Sequence, residues 1–180
     1  MVEFIRGIDE FPLEIRILAA KLDSLNLDDY ETRHDRTMAI TKVVFDWAKD
    51  CDWSPELEFR IDGVYRENGD YTRKTTRKSK YTPSSNQDKF QAKWNRRRGA
   101  IADVYINRDS LEPGMSLRPL VIEIDSSNKK WSLRKLEKCS EKGWDCLWIR
   151  WGPNAPIPTP EDVMCIYIPF IEERVRKGPN

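Results

Sequence analysis

Leu120-Val-Ile-Glu-Ile-Asp125 is the segment with the clearest structural signal in this 180-residue chain. Its aliphatic and β-branched residues favour a buried strand. Residues two apart in a strand point to the same face, so Glu123 and Asp125 are predicted to project together, with the aliphatic residues on the opposite face. Because an unpaired charge is costly among apolar residues, a partner or a metal ion is expected beside the two acids.

The elements around this segment predict an α/β fold with a central mixed sheet flanked by helices. Ala100-Ile-Ala-Asp-Val-Tyr-Ile106 is predicted to form the preceding strand, joined to it as a hairpin by a turn at Glu112-Pro-Gly114. A helix is expected over residues 130–142, with Gly143 as its C-cap, and Asp145-Cys-Leu-Trp-Ile-Arg-Trp151 is expected to be a buried strand.

The flanking regions complete a single domain of residues 1–180. Helical apolar spacing predicts helices over residues 13–25 and 35–49 in an N-terminal part (1–55), the second with Asp35 as its N-cap. Alternation over residues 56–61 predicts a strand. After the core (99–152), the C-terminal part (153–180) is expected to hold an edge strand at 163–168 and a terminal helix at 170–177.

The charge is distributed unevenly along the chain. Residues 1–59 hold 7 Lys/Arg against 14 Asp/Glu, whereas residues 60–98 hold 12 against 4. The basic segment contains few aliphatic residues and several aromatic ones, which predicts a long loop or flap that contacts a polyanion such as DNA. A solvated basic loop is the simpler alternative. The candidate nucleic-acid-binding residues are Arg73, Lys74, Arg77, Lys78, Lys80, Lys93, Arg96, Arg97, Arg98 and, beyond the segment, Arg134.

Composition excludes several classes of protein. The chain begins without an apolar leader and has no run of the roughly 20 apolar residues that cross a bilayer, so a soluble cytoplasmic protein without a membrane partner is expected. Its four cysteines have neither a CxxC pair nor a neighbouring histidine, which argues against structural zinc and indicates packed, reduced thiols.

A third acid, Asp103, lies in the strand predicted to pair with the Glu123 strand. If the hairpin forms, Asp103, Glu123 and Asp125 can come together as oxygen donors. Hard donors of this kind suit Mg²⁺ or Mn²⁺, and a divalent ion held there would support phosphodiester hydrolysis.

Gly99-Ala-Ile-Ala-Asp103, Val121-Ile-Glu123-Ile-Asp125, the following helix and Gly143-Trp-Asp-Cys-Leu-Trp-Ile-Arg-Trp151 together resemble the core of the PD-(D/E)XK nucleases, a superfamily that includes many restriction endonucleases. The resemblance covers about residues 96–152. It implies a restriction-endonuclease-like core, Mg²⁺ bound by Asp103 and Glu123, and cleavage of DNA. If the substrate is double-stranded, a small chain with one site cuts both strands most simply as a two-fold symmetric homodimer, and nicking by a monomer is the alternative.

This sequence departs from the superfamily pattern at one position, because Asp125 stands where the motif has lysine. The resemblance then implies an acidic variant, in which Asp125 is a further metal ligand or a base. Alternatively, Lys129 or Lys130 at the start of the following helix supplies the missing ammonium. The predicted catalytic residues are therefore Asp103, Glu123, Asp125 and Lys129.

Other interpretations remain open at this point. The three acids can belong to a surface hairpin in which they form salt bridges with Lys129, Lys130 or Arg134. A nuclease-like module that binds DNA or RNA without cleaving it accounts for the missing lysine. A protein whose basic, aromatic flap meets an acidic protein surface is a third possibility, and steep salt dependence of nucleic-acid binding argues against it.

Overall fold

The structure is a computed structural model that describes residues 2–5, 10–61, 100–108 and 117–171. The basic segment from residue 62 onward, including all nine of its candidate DNA-binding residues, lies outside the described residues, as does the predicted turn at Glu112-Pro-Gly114. Most of the predicted C-terminal helix also lies outside them, and its first two residues, Phe170 and Ile171, are not helical.

A six-stranded mixed sheet forms the centre of the described part, with strand order β1-β6-β5-β4-β3-β2. β4, β5 and β6 are mutually parallel, whereas β2, β3 and β4 are joined antiparallel and β1 is antiparallel to β6. The predicted hairpin pairing of β3 with β4 is therefore confirmed. The strands are β1 (Glu3–Phe4), β2 (Ser54–Ile61), β3 (Ala100–Asn107), β4 (Leu120–Asp125), β5 (Asp145–Gly152) and β6 (Val163–Pro169).

Three α-helices flank the sheet within the described residues, and a 3-10 turn at Leu27–Asp29 links the first two. They are α1 (Leu13–Asp23), α2 (Arg33–Asp50) and α3 (Lys130–Ser140). α1 and α2 pack on one face of the sheet and α3 on the other, so that each face has its own hydrophobic core. The α/β class expected from the sequence is confirmed.

The alternation predicted for β4 holds in three dimensions. Leu120, Ile122 and Ile124 belong to the core shared with α1 and α2. Val121 belongs to the core beneath α3, and alternation places Glu123 and Asp125 on this same face. All six residues of the strand are buried, so both carboxylates are held beneath a helix and away from bulk solvent.

Three details of the sequence prediction were wrong. α3 ends at Ser140 with Glu141 as its C-cap, so Gly143 lies beyond the cap. The N-cap of α2 is Thr32, not Asp35, because Thr32 and Asp35 form a capping box in which each side chain bonds the other's backbone N–H. Residues 163–168 do form a strand, but β1 pairs with its outer side and takes the edge position.

The four cysteines are all free thiols, and three of them, Cys139, Cys146 and Cys165, are buried in the core beneath α3. Burial raises the pKa of the Cys139 thiol to about 11 and that of Cys165 to about 12, so these groups stay protonated at neutral pH. The predicted packed, unpaired thiols are confirmed. Among the described helices, none combines the length and apolarity needed to cross a bilayer.

Candidate active site

β3 and β4 separate at Asp103, and side chains replace the backbone ladder there. The paired residues run from Ile106 to Val104, which lies opposite Ile122. At the next step the backbone N–H of Asp103 donates to Glu123 Oε1 at 3.3 Å. In return, the backbone N–H of Ile124 donates to Asp103 Oδ2 at 2.8 Å. Each acid thus satisfies a backbone donor of the opposite strand, which holds Asp103 and Glu123 side by side.

The pairing of β3 with β2 is also irregular at Asp103. Ala102 and Val104 are two residues apart, yet they belong to the cores on opposite faces of the sheet. Regular alternation would place them on one face, so the strand turns over at Asp103. In the neighbouring strand, Glu58 lies between the partners of these two residues and has φ of 51°, which an L residue rarely adopts. A local distortion shared by two strands thus accompanies the acid site.

Two lysines neutralise acids of this cluster, which we call the carboxylate cluster (Asp103, Glu123 and Asp125). Lys135 of α3 lies 2.5 Å from Glu123 Oε1, with both side chains less than a tenth exposed, and its Nζ also donates to the carbonyl of Ile101 at 2.5 Å. Lys129, just before α3, lies 2.5 Å from Asp125 Oδ1. The two ion pairs differ in environment, because the Lys129 side chain is 57% exposed.

Burial dominates the electrostatics of the cluster. It raises the pKa of Glu123 to about 8, against the opposing effect of the Lys135 ammonium, with further increases from Asp103 and Asp125. Burial also raises the pKa of Asp103, although the hydrogen bond from Ile124 opposes this. The pKa of Lys129 is raised because the bond to Asp125 and the surrounding negative charges outweigh burial. Groups with such shifted pKa values commonly lie at functional sites.

Asp125 uses both of its carboxylate oxygens. Oδ2 accepts a 3.0 Å hydrogen bond from the indole Nε1–H of the buried Trp148, and Oδ1 faces the Lys129 ammonium. Trp148 pairs with Glu123 in the parallel β4–β5 register, and Asp125 pairs with Arg150, two residues further along β5. The tryptophan therefore fixes the orientation of the Asp125 carboxylate and directs Oδ1 toward the exposed side of the cluster.

Arg150 anchors the loop that leads from β4 to Lys129. It is almost fully buried, and its guanidinium donates to Asn128 Oδ1 at 3.1 Å and to the carbonyls of Asp125 and Asn154 at 3.4 and 3.3 Å. Asn128 in turn donates to the carbonyl of Ala155 at 3.0 Å. These bonds tie the loop after β4 to the loop after β5, so the start of α3 is held in place.

Gly152 permits this arrangement, and replacing it by alanine is expected to be costly. Its φ is 121°, and an added Cβ would lie 3.1 Å from the Ser126 carbonyl oxygen and 3.2 Å from Arg150 Nη1. Backbone strain and crowding together predict a loss of about 2–4 kcal/mol in the free energy of unfolding. Chemical denaturation measures it.

Gly143→Ala is the matched control. Gly143 also has a positive φ, of 80°, but nothing lies within 4 Å of an added Cβ. Only the backbone cost of about 1–2 kcal/mol is then expected. Equal losses in the two variants would show that the contacts of Gly152 contribute nothing.

The donor chemistry of the cluster fits a hard divalent cation. Three carboxylates lie in one corner of the sheet, and among the described residues their bonding partners are lysine, tryptophan and backbone groups rather than the thiol or imidazole ligands that softer metals favour. Their oxygens are nevertheless turned toward N–H groups and ammoniums. Within the described ranges, no three or more His, Cys, Asp or Glu side chains are arranged as a group that could hold a metal ion. Binding would therefore require side chains to reorient.

Four of the predicted site residues meet in this corner, namely Asp103, Glu123, Asp125 and Lys129. The salt bridge between Asp125 and Lys129 was the contact expected if the acids formed a surface hairpin, but the strand-borne, buried position of both Asp125 and Glu123 does not fit a surface hairpin. Lys130 is exposed and forms no ion pair with any described residue, and Arg134 is exposed on α3.

Sequence reasoning missed three residues that contact the cluster or its loop, namely Lys135, Trp148 and Arg150. Lys135 could have been found, because it lies within the buried stripe of α3 formed by Ser132, Leu133, Leu136 and Cys139. A lysine on such a stripe requires a buried partner. Trp148 was assigned to the core, which is correct, but its indole N–H also binds Asp125.

No protein-family model matches this chain, and no curated protein or solved structure shows significant similarity to it.

Proposed function

We propose that this protein is a Mg²⁺-dependent endonuclease that hydrolyses DNA phosphodiester bonds, with the carboxylate cluster as its active site. The observation that carries the proposal is the concentration of three acids and two lysines where β3 and β4 separate. Buried ion pairs contribute little net stability compared with apolar residues of similar volume. So many charges are therefore better explained by chemistry than by folding.

In this proposal, Asp103, Glu123 and Asp125 hold a divalent cation, Mg²⁺ or Mn²⁺. The bound ion would supply Lewis-acid polarisation of the scissile phosphate. Glu123 is held against β3 by the Asp103 N–H, and Asp125 is oriented by Trp148, so the protein supplies these ligands from fixed strands. Lys135 and Lys129 contribute ammonium groups that offset negative charge in the same corner.

The resemblance to PD-(D/E)XK nucleases supports this assignment, and it rests on the same three acids together with the order of the elements around them. The antiparallel β3–β4 pair, followed by α3 and the parallel strand β5, is compatible with a restriction-endonuclease-like core. The ammonium absent from position 125 has two candidates in space. Lys129 contacts Asp125, and Lys135 contacts Glu123.

DNA contact is proposed to come from the basic segment and from Arg134. The segment holds 12 Lys/Arg against 4 Asp/Glu in residues 60–98, which favours binding to a polyanion through counterion release. A chain with one such site cuts both strands of a duplex most simply as a two-fold symmetric homodimer, so we propose that assembly for the active form.

The decisive experiment incubates the purified protein with plasmid DNA, single-stranded DNA and RNA, each with Mg²⁺, Mn²⁺ or EDTA. Cleavage of plasmid that requires the divalent ion is the expected result. Intact plasmid under every condition would contradict the proposal. Faster cleavage of RNA than of DNA would show that RNA, not DNA, is the substrate.

Metal affinity is expected to rise with pH, because Mg²⁺ binds the ionised form of Glu123. The raised pKa of about 8 means that the carboxyl holds a proton at pH 6 and releases it as the pH rises through 8. Metal and proton therefore compete below pH 8, and the affinity should increase by up to about tenfold per pH unit until the group is ionised. Calorimetric titration with Mg²⁺ at pH 6, 7, 8 and 9 tests this prediction.

Glu123→Gln is the control for this pH dependence, because glutamine does not titrate. Weaker Mg²⁺ binding with a flatter pH profile is expected for that variant. Wild-type affinity that stays constant from pH 6 to 9 would contradict the role given to Glu123.

A second candidate function is a nuclease-like module that binds DNA or RNA without cleaving it. The two lysine–carboxylate pairs favour it, since they neutralise Glu123 and Asp125 without a metal ion. Such a module should bind nucleic acid in EDTA as tightly as in Mg²⁺. It should also show no calorimetric metal site that depends on Glu123.

A further inference from the structure

Asp125 Oδ1 is the atom for which two cations would compete. The other oxygen, Oδ2, is bound by the buried indole of Trp148 at 3.0 Å. A divalent cation that uses Asp125 therefore approaches Oδ1, where Lys129 Nζ already lies at 2.5 Å. Two cations at one carboxylate oxygen repel each other, so their binding is mutually unfavourable.

The two lysines of the site differ in how easily they can leave. Lys135 is 6% exposed and bonds both Glu123 and the Ile101 carbonyl from within α3. Lys129 is 57% exposed, precedes the first helical residue and has extended backbone angles. Water can replace Asp125 as the partner of the Lys129 ammonium, whereas the buried Lys135 ammonium has little access to water that could replace Glu123. The pair is exposed only on its lysine side, because the Asp125 side chain is 1% exposed, so release leaves a carboxylate that the incoming cation would neutralise.

The charge balance favours a change of partner at Lys129. With all three carboxylates ionised, as metal binding requires, the three acids and the two ammoniums carry a net charge of −1. A divalent cation changes it to +1, and an added phosphodiester restores neutrality. The ammonium released from Asp125 is thus near an incoming negative charge that requires a counter-ion.

We propose that Lys129 and a divalent cation compete for Asp125 Oδ1, and that Lys129, once displaced, contacts the scissile phosphate. Lys129 is then a mobile group with two successive partners, whereas Lys135 remains paired with Glu123. The inference rests on the proposed metal-dependent function, because it requires a cation at the carboxylate cluster.

Calorimetric titration with Mn²⁺ tests the competition in the full-length wild type, Lys129→Gln and Lys130→Gln. Lys129→Gln should bind Mn²⁺ about two- to fivefold more tightly, the factor expected for removal of a weak, partly exposed ion pair. Lys130→Gln removes the same charge one residue away, where no carboxylate of the cluster is contacted, and its affinity should stay close to wild type. Equal or weaker binding by Lys129→Gln would overturn the proposal.

Lysine side-chain NMR provides a second measurement. In protein labelled with ¹³C at lysine Cε, the Lys129 signal, assigned from its absence in Lys129→Gln, should shift in step with Mg²⁺ binding. The Lys135 signal should move less, because its partners do not change. A Lys129 signal that stays fixed when the site is saturated with Mg²⁺ would exclude displacement.

Turnover separates the two roles of Lys129. At saturating Mg²⁺, Lys129→Gln should cleave DNA about 10²-fold more slowly despite its tighter metal binding, as when one group that stabilises transition-state charge is lost. Tighter binding with unchanged cleavage would remove the phosphate contact from the proposal. Absence of any Glu123-dependent metal binding in the wild type would instead refute the proposed function itself.

Discussion

Replacing Glu123 by glutamine is expected to reduce DNA cleavage by about 10²–10³-fold, the range found when one group that stabilises transition-state charge is lost. Glutamine keeps an oxygen that can accept from the Asp103 N–H and from Lys135, so the junction between β3 and β4 is preserved. Only the negative charge, which a divalent cation requires, is removed. Cleavage rates at saturating Mg²⁺ and a thermal melt of the same sample give the measurement.

Asp103→Asn is the parallel test on the neighbouring strand, because its amide oxygen can still accept from the Ile124 N–H. Alanine is a poor choice at either position, since it leaves a buried backbone N–H without its partner. Asp103→Asn should unfold within a few degrees of wild type, whereas Glu123→Gln leaves the buried Lys135 ammonium without its counter-ion and should unfold at a lower temperature. Full activity in Glu123→Gln would remove this residue from the mechanism, whatever its contacts.

Lys135→Met is expected to lower the free energy of unfolding by about 3–5 kcal/mol at pH 9, because it leaves the buried Glu123 carboxylate without its counter-ion. The loss should be smaller at pH 6. Burial raises the pKa of Glu123 above its unfolded value of 4.5, so at pH 6 the folded variant can protonate the carboxyl and avoid a buried charge. Denaturant titrations in EDTA at both pH values measure the difference.

Two further variants separate the ion pair from ordinary packing. Glu123→Gln combined with Lys135→Met should recover much of the stability at pH 9, since neither charge is then buried alone. Lys129→Met removes the exposed partner of the buried Asp125, whose other oxygen keeps its bond to Trp148, so a smaller loss than in Lys135→Met is expected. A loss in Lys135→Met that is equal at pH 6 and pH 9 would show that Glu123 is not the cause.

Much of the fold could be predicted from local patterns in the sequence. The alternation in β4 correctly placed Glu123 and Asp125 on one face, and the apolar spacing correctly located the three helices. These patterns are reliable because the period of a strand or helix depends only on the backbone. The N-cap of α2 was predicted wrongly, because Thr32 and Asp35 both have side chains that can cap a helix.

The partners of the acids could not be predicted in the same way. Lys129 was named as a candidate, yet Lys135, which is buried against Glu123, was missed. Its role depends on where α3 lies over the sheet, and that position follows from packing rather than from any local period. The same applies to Trp148, whose bond to Asp125 follows from the parallel register of β4 and β5.

The sequence by itself determined the order and type of the main elements and the shared face of Glu123 and Asp125, because both follow from backbone periodicity over a few residues. Only the tertiary structure decided that β3 leaves β4 at Asp103 and that each acid there bonds the opposite strand. It also decided which lysine is buried and which is exposed. The strand junction depends on contacts between residues 20 and 21 positions apart, and the burial of Lys135 depends on where α3 packs on the sheet, so no local pattern acts on either.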